Sequence, residues 1–385
     1  MRRTRLHKQI RRQLFDSPQE IFVICTPGFE TECAAEIRAL FPQIREPGVE
    51  TGGIRLTAEL DLIPRLNRSL RTASRILLRM ARFTARDFYQ LEKAAADIPW
   101  SLYFPEGAPP EIRVSCHHCR LYHTEAIAQR IRDAFSGRPP SPMVPPLPES
   151  PLPSLFVRGE NDRFTLSVDS TGPLLYFRGL KTQGSRAPLR ETLAAAILLA
   201  LSYDPKRSLV DPMCGSGTFS IEAALMAADV APGSFRRFAW ENWPAFLLHK
   251  QKEETPQGFL PFPLPSIFAS DADPVAASQL KKQCQGHPLL QHIQVQTADF
   301  FSLSPPLGPP GLIVLNPPYG LRMQKKTEAD ALAKNLGPQL SAEWRGWKAG
   351  IILPQDTAFS PPKGLRIRAF RHGGLAMHLF SGLLL

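Results

Sequence analysis

The stretch Ser208-Leu209-Val210-Asp211-Pro212-Met213-Cys214-Gly215-Ser216-Gly217-Thr218 decides how this chain folds. A short apolar strand ends in an acid, a glycine-rich turn follows, and Phe219 to Ala228 continues with helical character. Strand, glycine turn and helix in that order make the first βα unit of a doubly wound sheet, where ligands bind beyond the carboxyl ends of the strands. Gly215 and Gly217 let the backbone approach a ligand closely and adopt conformations that a side chain forbids. Two spaced glycines are also what a tight turn without any ligand requires, so the flanking sequence has to decide.

The same unit recurs downstream. Ser266 to Asp271 is a second strand ending in an acid, and Val275 to Gln283 is its helix. A carboxylate at Asp271 can accept hydrogen bonds from two ribose hydroxyls, whereas Asp273-Pro274 reads as a helix N-cap followed by proline in the first turn. A third strand, Ile293 to Gln296, runs toward Ala298-Asp299-Phe300. There the carboxylate can accept from an adenine amine, and the ring can pack beside it. A fourth, Gly311 to Leu315, ends in Asn316-Pro317-Pro318-Tyr319, the most specific motif of the chain. Two prolines remove their own backbone donors and stiffen the turn, so the neighbouring carbonyls face a cleft as fixed acceptors. Asn316 adds a side-chain carbonyl and Tyr319 a flat face, which together suit an extruded base held by its exocyclic amine. Direct transfer of a group to such a nitrogen needs orientation and electrostatics more than a strong base. Cys214, inside the glycine turn with no electropositive neighbour in sequence, reads as a small packed residue rather than a nucleophile. His372 and His378 read as structural residues.

Upstream, β-branched residues 21 to 26, Pro27-Gly28 and a periodic stretch from Glu30 to Leu40 give strand, turn and helix. Gly52 to Leu56 is another short strand, and a helix is expected from Leu62 to Ser74. The pattern restarts at Arg75 with a strand, a helix near 91 to 98, a strand at 111 to 115 and a helix near 124 to 135. Residues 136 to 154 hold eight prolines and read as an irregular loop. Strands resume at 154 to 158 and 163 to 169, and after Gly172 long apolar helices alternate with short apolar strands, the texture of a parallel sheet. Residues 231 to 265, rich in proline and aromatics, read as an insertion after the first crossover helix.

Over 385 residues, 43% hydrophobic and 21% charged, the composition is that of a globular protein of two or three compact units. No apolar run is long enough to span a membrane and the basic first fifteen residues lack an apolar core, so a cytoplasmic protein is expected. The six cysteines are scattered and read as reduced thiols. Cys116-His117-His118-Cys119 has a metal-like spacing, but no second Cys/His cluster completes four ligands, so no metal is expected. The net charge of +11 points to a polyanionic partner. Basic residues are concentrated in an acid-free run from Arg2 to Arg12 and at Arg65, Arg68, Arg71, Arg75, Arg79, Arg82 and Arg86. The second spacing suits one side of a helix and its continuation, either RNA-facing or simply solvated.

In this order, D-P-M-C-G-S-G-T at 211–218, S-D-A-D-P at 270–274, A-D-F-F at 298–301 and N-P-P-Y-G at 316–320 resemble the class I methyltransferases. Among these the chain is similar to the THUMP-containing guanine-N2 methyltransferases of ribosomal and transfer RNA. Asn67 to Arg75, Ile131 to Phe135, Tyr176 to Leu180, Ala187 to Ala194 and Gly373-Gly374-Leu375 extend the likeness over nearly the whole chain. The proline-rich loop and the lysine-bearing stretch Arg322 to Lys326 depart from the family pattern.

The resemblance implies an α/β protein whose Rossmann-like catalytic domain, with a seven-stranded sheet, follows α+β ferredoxin-like and THUMP domains. The implied division is a basic tail at 1–17, a ferredoxin-like unit at 18–74, a THUMP domain at 75–170 and the methyltransferase at 171–385. The implied cofactor is S-adenosylmethionine, held by Asp211, Pro212, Cys214, Gly215, Ser216, Gly217, Thr218, Asp271, Ala272, Asp299 and Phe300. The implied target amine is held by Asn316, Pro317, Pro318 and Tyr319, and RNA is met by Arg68, Arg71, Arg75, Arg178, Lys181 and Arg190. The expected substrate is a guanine of 23S ribosomal RNA. The alternatives are a tRNA guanine, DNA adenine-N6 and a non-catalytic RNA assembly factor; the N-P-P-Y motif also occurs in glutamine-N5 protein methyltransferases.

Overall fold

The computed structural model describes residues 15–105, 107–136, 145–180, 189–248, 266–318 and 323–385, with the backbone alone for 323–328. The basic run at the N-terminus, residues 137–144 of the proline-rich loop, Lys181, Tyr319 and part of the aromatic insertion lie outside the described residues. Two compact units emerge: Met1–Cys25, Ala34–Leu175 and Phe235–Thr255 form one, and Thr26–Cys33, Tyr176–Ser234 and Pro256–Leu385 the other.

The front-half elements are β1 (Gln19–Cys25), α1 (Glu30–Leu40), β2 (Gly48–Glu50), β3 (Gly53–Ala58), α2 (Leu62–Ser69), β4 (Ala73–Thr84), α3 (Phe88–Ala96), β5 (Ile112–His117), α4 (Thr124–Ser136), β6 (Leu155–Glu160) and β7 (Arg163–Asp169). Their strands form one sheet in the order β2-β3-β1-β4-β7-β6-β5, with β4 antiparallel to both β1 and β7. Alternation in the sequence has its expected consequence: Ile21, Val23, Ile54, Leu56, Ile76, Leu78, Leu166 and Val168 are fully buried or nearly so. The intervening residues Ile24, Arg79 and Arg82 line a groove of about 1050 Å³ on the sheet.

The arginine series is not a helical stripe. Helix α2 ends at Ser69, and Arg75, Arg79 and Arg82 belong to β4. A spacing of four residues fits a strand face as well as a helix face, and a register shift between Arg79 and Ala81 keeps Arg82, opposite Thr165, on the side of Arg79, opposite Ser167. The junction of α2 and β7 is a closed polar cluster. Asn67 Nδ2 donates to the Ile63 carbonyl at 3.0 Å and to Ser170 Oγ at 2.8 Å, and Thr171 Oγ1 donates to Asn67 Oδ1 at 2.7 Å.

The aromatic segment fills the same unit. Trp243, fully buried, meets the Tyr103 ring edge-on at 5.7 Å, and Asn242 Nδ2 donates to the Ser150 carbonyl at 2.8 Å. This segment also contains the short helix α7 (Pro244–Leu248), which follows α5 (Glu191–Ala200) and α6 (Thr218–Ala227) in the chain.

The second unit continues with β8 (Leu209–Asp211), β9 (Ile267–Asp271), α8 (Pro274–Gln285), β10 (Ile293–Thr297), β11 (Leu312–Leu315), α9 (Met323–Glu343), β12 (Lys348–Pro354), β13 (Leu365–His372) and β14 (Leu375–Leu383). Its sheet runs β10-β9-β8-β11-β12-β14-β13. The strands from β10 to β12 are parallel, and β14 returns antiparallel to both β12 and β13. All of Leu312–Leu315 is buried, and α5 and α6 are apolar nearly all round, as a covered parallel sheet requires. Successive strands lie on one side of β8 and then on the other, so β8 and β11 flank a topological switch point where a crevice opens.

Candidate active site

Asp211, Asp271 and Asn316 lie at or just past the carboxyl ends of the neighbouring strands β8, β9 and β11. Asp211 is 1% exposed, and Ser220 Oγ in the first turns of α6 donates to its Oδ2 at 2.8 Å. The acid thus braces the helix beneath the glycine turn. Gly215 and Gly217 both have left-handed backbones, with φ of +51° and +73°, yet for different reasons. A methyl group on Gly217 would come within 2.4 Å of Leu280 Cδ1 on α8, so packing demands a glycine there. A methyl group on Gly215 would meet nothing within 4 Å. The turn therefore leaves open space where a ligand would lie, and this is the observation by which the site fits a nucleoside cofactor. Pro212 and Thr218 are buried, and Thr218 Oγ1 donates to the Leu189 carbonyl at 3.3 Å, so the Thr218 side chain is turned into the protein; Ser216 is half-buried.

Asp271 is half-buried and works on the loop itself. The Gly215 N–H donates to its Oδ2 at 2.8 Å and the Asp273 N–H to its Oδ1 at 2.9 Å. Each carboxylate oxygen retains a further lone pair for a ligand hydroxyl. Ala272 beside it is exposed. Asp273 accepts from the Val275 N–H at 2.9 Å with Pro274 in the first turn, the N-cap expected from the sequence. Asp299 is exposed and its Oδ1 accepts from the Phe301 N–H at 3.1 Å. Phe300 departs from expectation: its ring is 1% exposed and stacks against Trp344 at 6.3 Å in the core, so it cannot lie beside a ligand's adenine. A large ring three residues past the end of β10 gains more from that apolar layer than from the cleft.

β11 carries the chain into Asn316, half-buried, Pro317, buried, and Pro318, exposed. Cys214 is 8% exposed, and burial first, then the Asp211 and Asp271 carboxylates, push its thiol well above the usual range. A thiolate nucleophile is thereby disfavoured there. Among the described residues no group of three metal-ligating side chains comes together.

The proposed RNA contacts divide sharply. Arg75 is 7% exposed and its Nη1 donates to Asp169 Oδ2, while Arg178 is 4% exposed and grips Glu222 through Nε at 2.9 Å and Nη2 at 3.2 Å. Neither side chain can reach a phosphate; both are buried ion pairs that hold the fold. Arg68 and Arg71 are half-buried. Arg190 is exposed, and its guanidinium lies 5.3 Å from the centre of the Tyr176 ring.

One buried charged residue was not singled out from the sequence. Glu222 is fully buried, and the signal for it was an acid in an otherwise apolar helix. His372, read from the sequence as a structural residue, ends β13 at a hairpin whose β14 pairs with Pro354 at the carboxyl end of β12. Burial, and secondarily the charge of Arg190, hold its imidazole below the usual range.

A family model described as "RMKL-like, methyltransferase domain" matches residues 178–364, and one described as "RlmL ferredoxin-like domain" matches residues 20–77. A Syntrophotalea carbinolica protein named ribosomal RNA large subunit methyltransferase K/L is 31% identical over 361 residues, 88% of this chain but 49% of that protein. The chain thus spans about half the length of several of the curated relatives it matches. The Synechocystis protein slr0064, whose provisional name is RNA methyltransferase, is 30% identical and is matched over 94% of this chain and 95% of its own. In fold, the chain is similar to SMU.472, a provisionally assigned methyltransferase solved with SAH. The TM-score is 0.78 at 24% identity, over 96% of this chain and 99% of that one. With an RlmL-type ferredoxin-like front and the strand order and glycine turn described above, the chain belongs to the RMKL-like methyltransferase family.

Proposed function

We propose that this chain is an S-adenosylmethionine-dependent methyltransferase that modifies the exocyclic N2 amine of a guanine in large-subunit ribosomal RNA. The observation that carries the reading is the convergence of an open glycine turn, Asp271 and Asn316-Pro317-Pro318 at the carboxyl ends of adjacent parallel strands. Bound in that crevice, S-adenosylmethionine supplies an electrophilic methyl group on a sulfonium.

The remaining work belongs to the chain. The Gly215 turn, held by Asp271, makes room for the nucleoside, and Asp271 and Asp299 accept from its hydroxyls and amine. The Asn316 side-chain carbonyl and the backbone acceptor beside Pro317 hold the N–H groups of the target amine and direct its lone pair, with Tyr319 as the stacking face. Proximity and orientation of this kind lower a barrier without a general base of matched pKa. The front half is the RNA-docking part, and Arg113, Arg158 and Arg163 line its open sheet groove. Phosphate and shape recognition suit that surface.

The test is nucleoside mass spectrometry on ribosomal and transfer RNA from a strain lacking the gene, each RNA species analysed separately. Loss of one N2-methylguanosine from large-subunit RNA, restored by the intact gene but not by an Asn316→Ala copy, is expected. Loss confined to transfer RNA would replace the substrate; an unchanged profile in both would overturn the reading.

A further inference from the structure

Cys116 and Cys119 are brought together by local geometry that the proposed methyl transfer does not use. Cys116 lies on β5 with its backbone paired to Gly159 of β6. His118 then takes a left-handed conformation, φ 52°, which turns the chain back so that Cys119 returns over the strand. A Cβ built on Gly159 would stand 3.0 Å from Cys119 Sγ and 3.2 Å from Cys116 Sγ. Both sulfurs therefore occupy the space above the same glycine, which a side chain at that position would take. The turn is fastened from the β6–β7 hairpin: the Asn161 N–H donates to the His117 carbonyl at 3.1 Å and the Arg120 N–H to Asp162 Oδ1 at 2.7 Å. Cys25, Cys33, Cys214 and Cys284 are buried, whereas Cys116 and Cys119 are both partly exposed.

We propose that Cys116 and Cys119 form a reversible dithiol–disulfide couple, oxidised by exchange with a small-molecule disulfide. Cys119 Sγ, as thiolate, attacks one sulfur of oxidised glutathione, forming a mixed disulfide and releasing one glutathione thiolate. Cys116 gives its proton to water and attacks Cys119 Sγ, which forms the internal bond and expels the second glutathione thiolate. Two protein thiols lose two electrons and two protons, and one small disulfide becomes two thiols. Burial, and the sulfur of Cys119 beside it, raise the Cys116 thiol, which suits it to the second step rather than the first.

The full chain is equilibrated with glutathione buffers of increasing oxidised fraction, quenched with acid, alkylated and mapped by mass spectrometry. The expected result is a single transition in which Cys116 and Cys119 lose alkylation together, linked to each other, and recover it on reduction, while the four buried thiols stay alkylatable after unfolding. Cys116→Ser, which keeps Cys119, should stop at the mixed disulfide with glutathione, whereas Cys119→Ser, which keeps Cys116, should form that adduct more slowly and no internal bond. Glutathione adducts on both cysteines of the parent without an internal bond, disulfide-linked dimers, or oxidation spreading to the buried thiols would each overturn the proposal. The parent protein alone decides the matter if a variant fails to fold.

Discussion

Replacing Arg178 with alanine separates two roles that the sequence alone left together. The Arg178 and Glu222 side chains are 3% and 0% exposed and share two hydrogen bonds of 2.9 and 3.2 Å. Removing one partner leaves a buried charge uncompensated, which costs about 3–5 kcal/mol. For a unit of this size each kcal/mol moves the melting midpoint by roughly 2–4 °C, so Arg178→Ala should melt roughly 6–20 °C below the parent. Glu222→Ala should fall by a similar amount. The joint replacement Arg178→Met with Glu222→Leu, which removes both charges and keeps volume, should recover most of the loss, since apolar substitutes for buried pairs are often neutral or better. Denaturant or thermal unfolding followed by circular dichroism gives the shifts, and filter binding to ribosomal RNA fragments gives the affinity. If Arg178→Ala melts within about 2 °C of the parent while RNA affinity falls tenfold, Arg178 faces RNA and the burial argument is wrong.

Four further outcomes follow from the site. Asn316→Ala should lower the transfer rate by on the order of a hundredfold or more while leaving cofactor affinity within a few-fold, checked by single-turnover kinetics and equilibrium binding. Asp271→Ala should weaken cofactor binding by ~1.5–3 kcal/mol, because it loses charged acceptors and also frees the Gly215 N–H; unchanged calorimetric affinity would refute this. Gly217→Ala should destabilise more than Gly215→Ala in urea unfolding, since both carry the ~1–2 kcal/mol cost of a left-handed residue but only Gly217 would also strike Leu280. His372 has its folded pKa held below its unfolded value of about 6.5, so the unfolded chain takes up the proton first. Its contribution to stability is intact above that value and is lost as pH falls toward the folded pKa; His372→Gln should flatten the fall in urea midpoint between pH 7.5 and 5.5.

Much of this architecture was present in local pattern. Alternation at 21–25, the glycine turn at 214–217 and the acids Asp211 and Asp271 closing β8 and β9 placed elements within a few residues of where they lie. These signals are local because strand period, left-handed glycine and N-capping depend on neighbours along the chain. Two errors share a cause. The arginine spacing was read as one side of a helix and its continuation, whereas Arg75, Arg79 and Arg82 lie on the strand expected from Arg75, since a spacing of three or four also fits a bulged strand face. The helix expected to run to Ser74 ends at Ser69, where Asn67 and the β7 end close a polar cluster from residues about one hundred positions apart.

The sequence by itself determined the alternation of strand and helix, the doubly wound class, the glycine turn and the set of polar groups gathered at strand ends. Only the tertiary structure decided that Arg75 and Arg178 are buried partners of Asp169 and Glu222, that Phe300 belongs to the core, that Trp243 packs against Tyr103, and that Cys116 and Cys119 converge over Gly159. An arginine or a phenylalanine has the same local preferences whether it faces solvent, a ligand or the core. What distinguishes these fates is which distant residue can neutralise the charge or exclude water from the ring, and that partner is chosen only when the strands have paired.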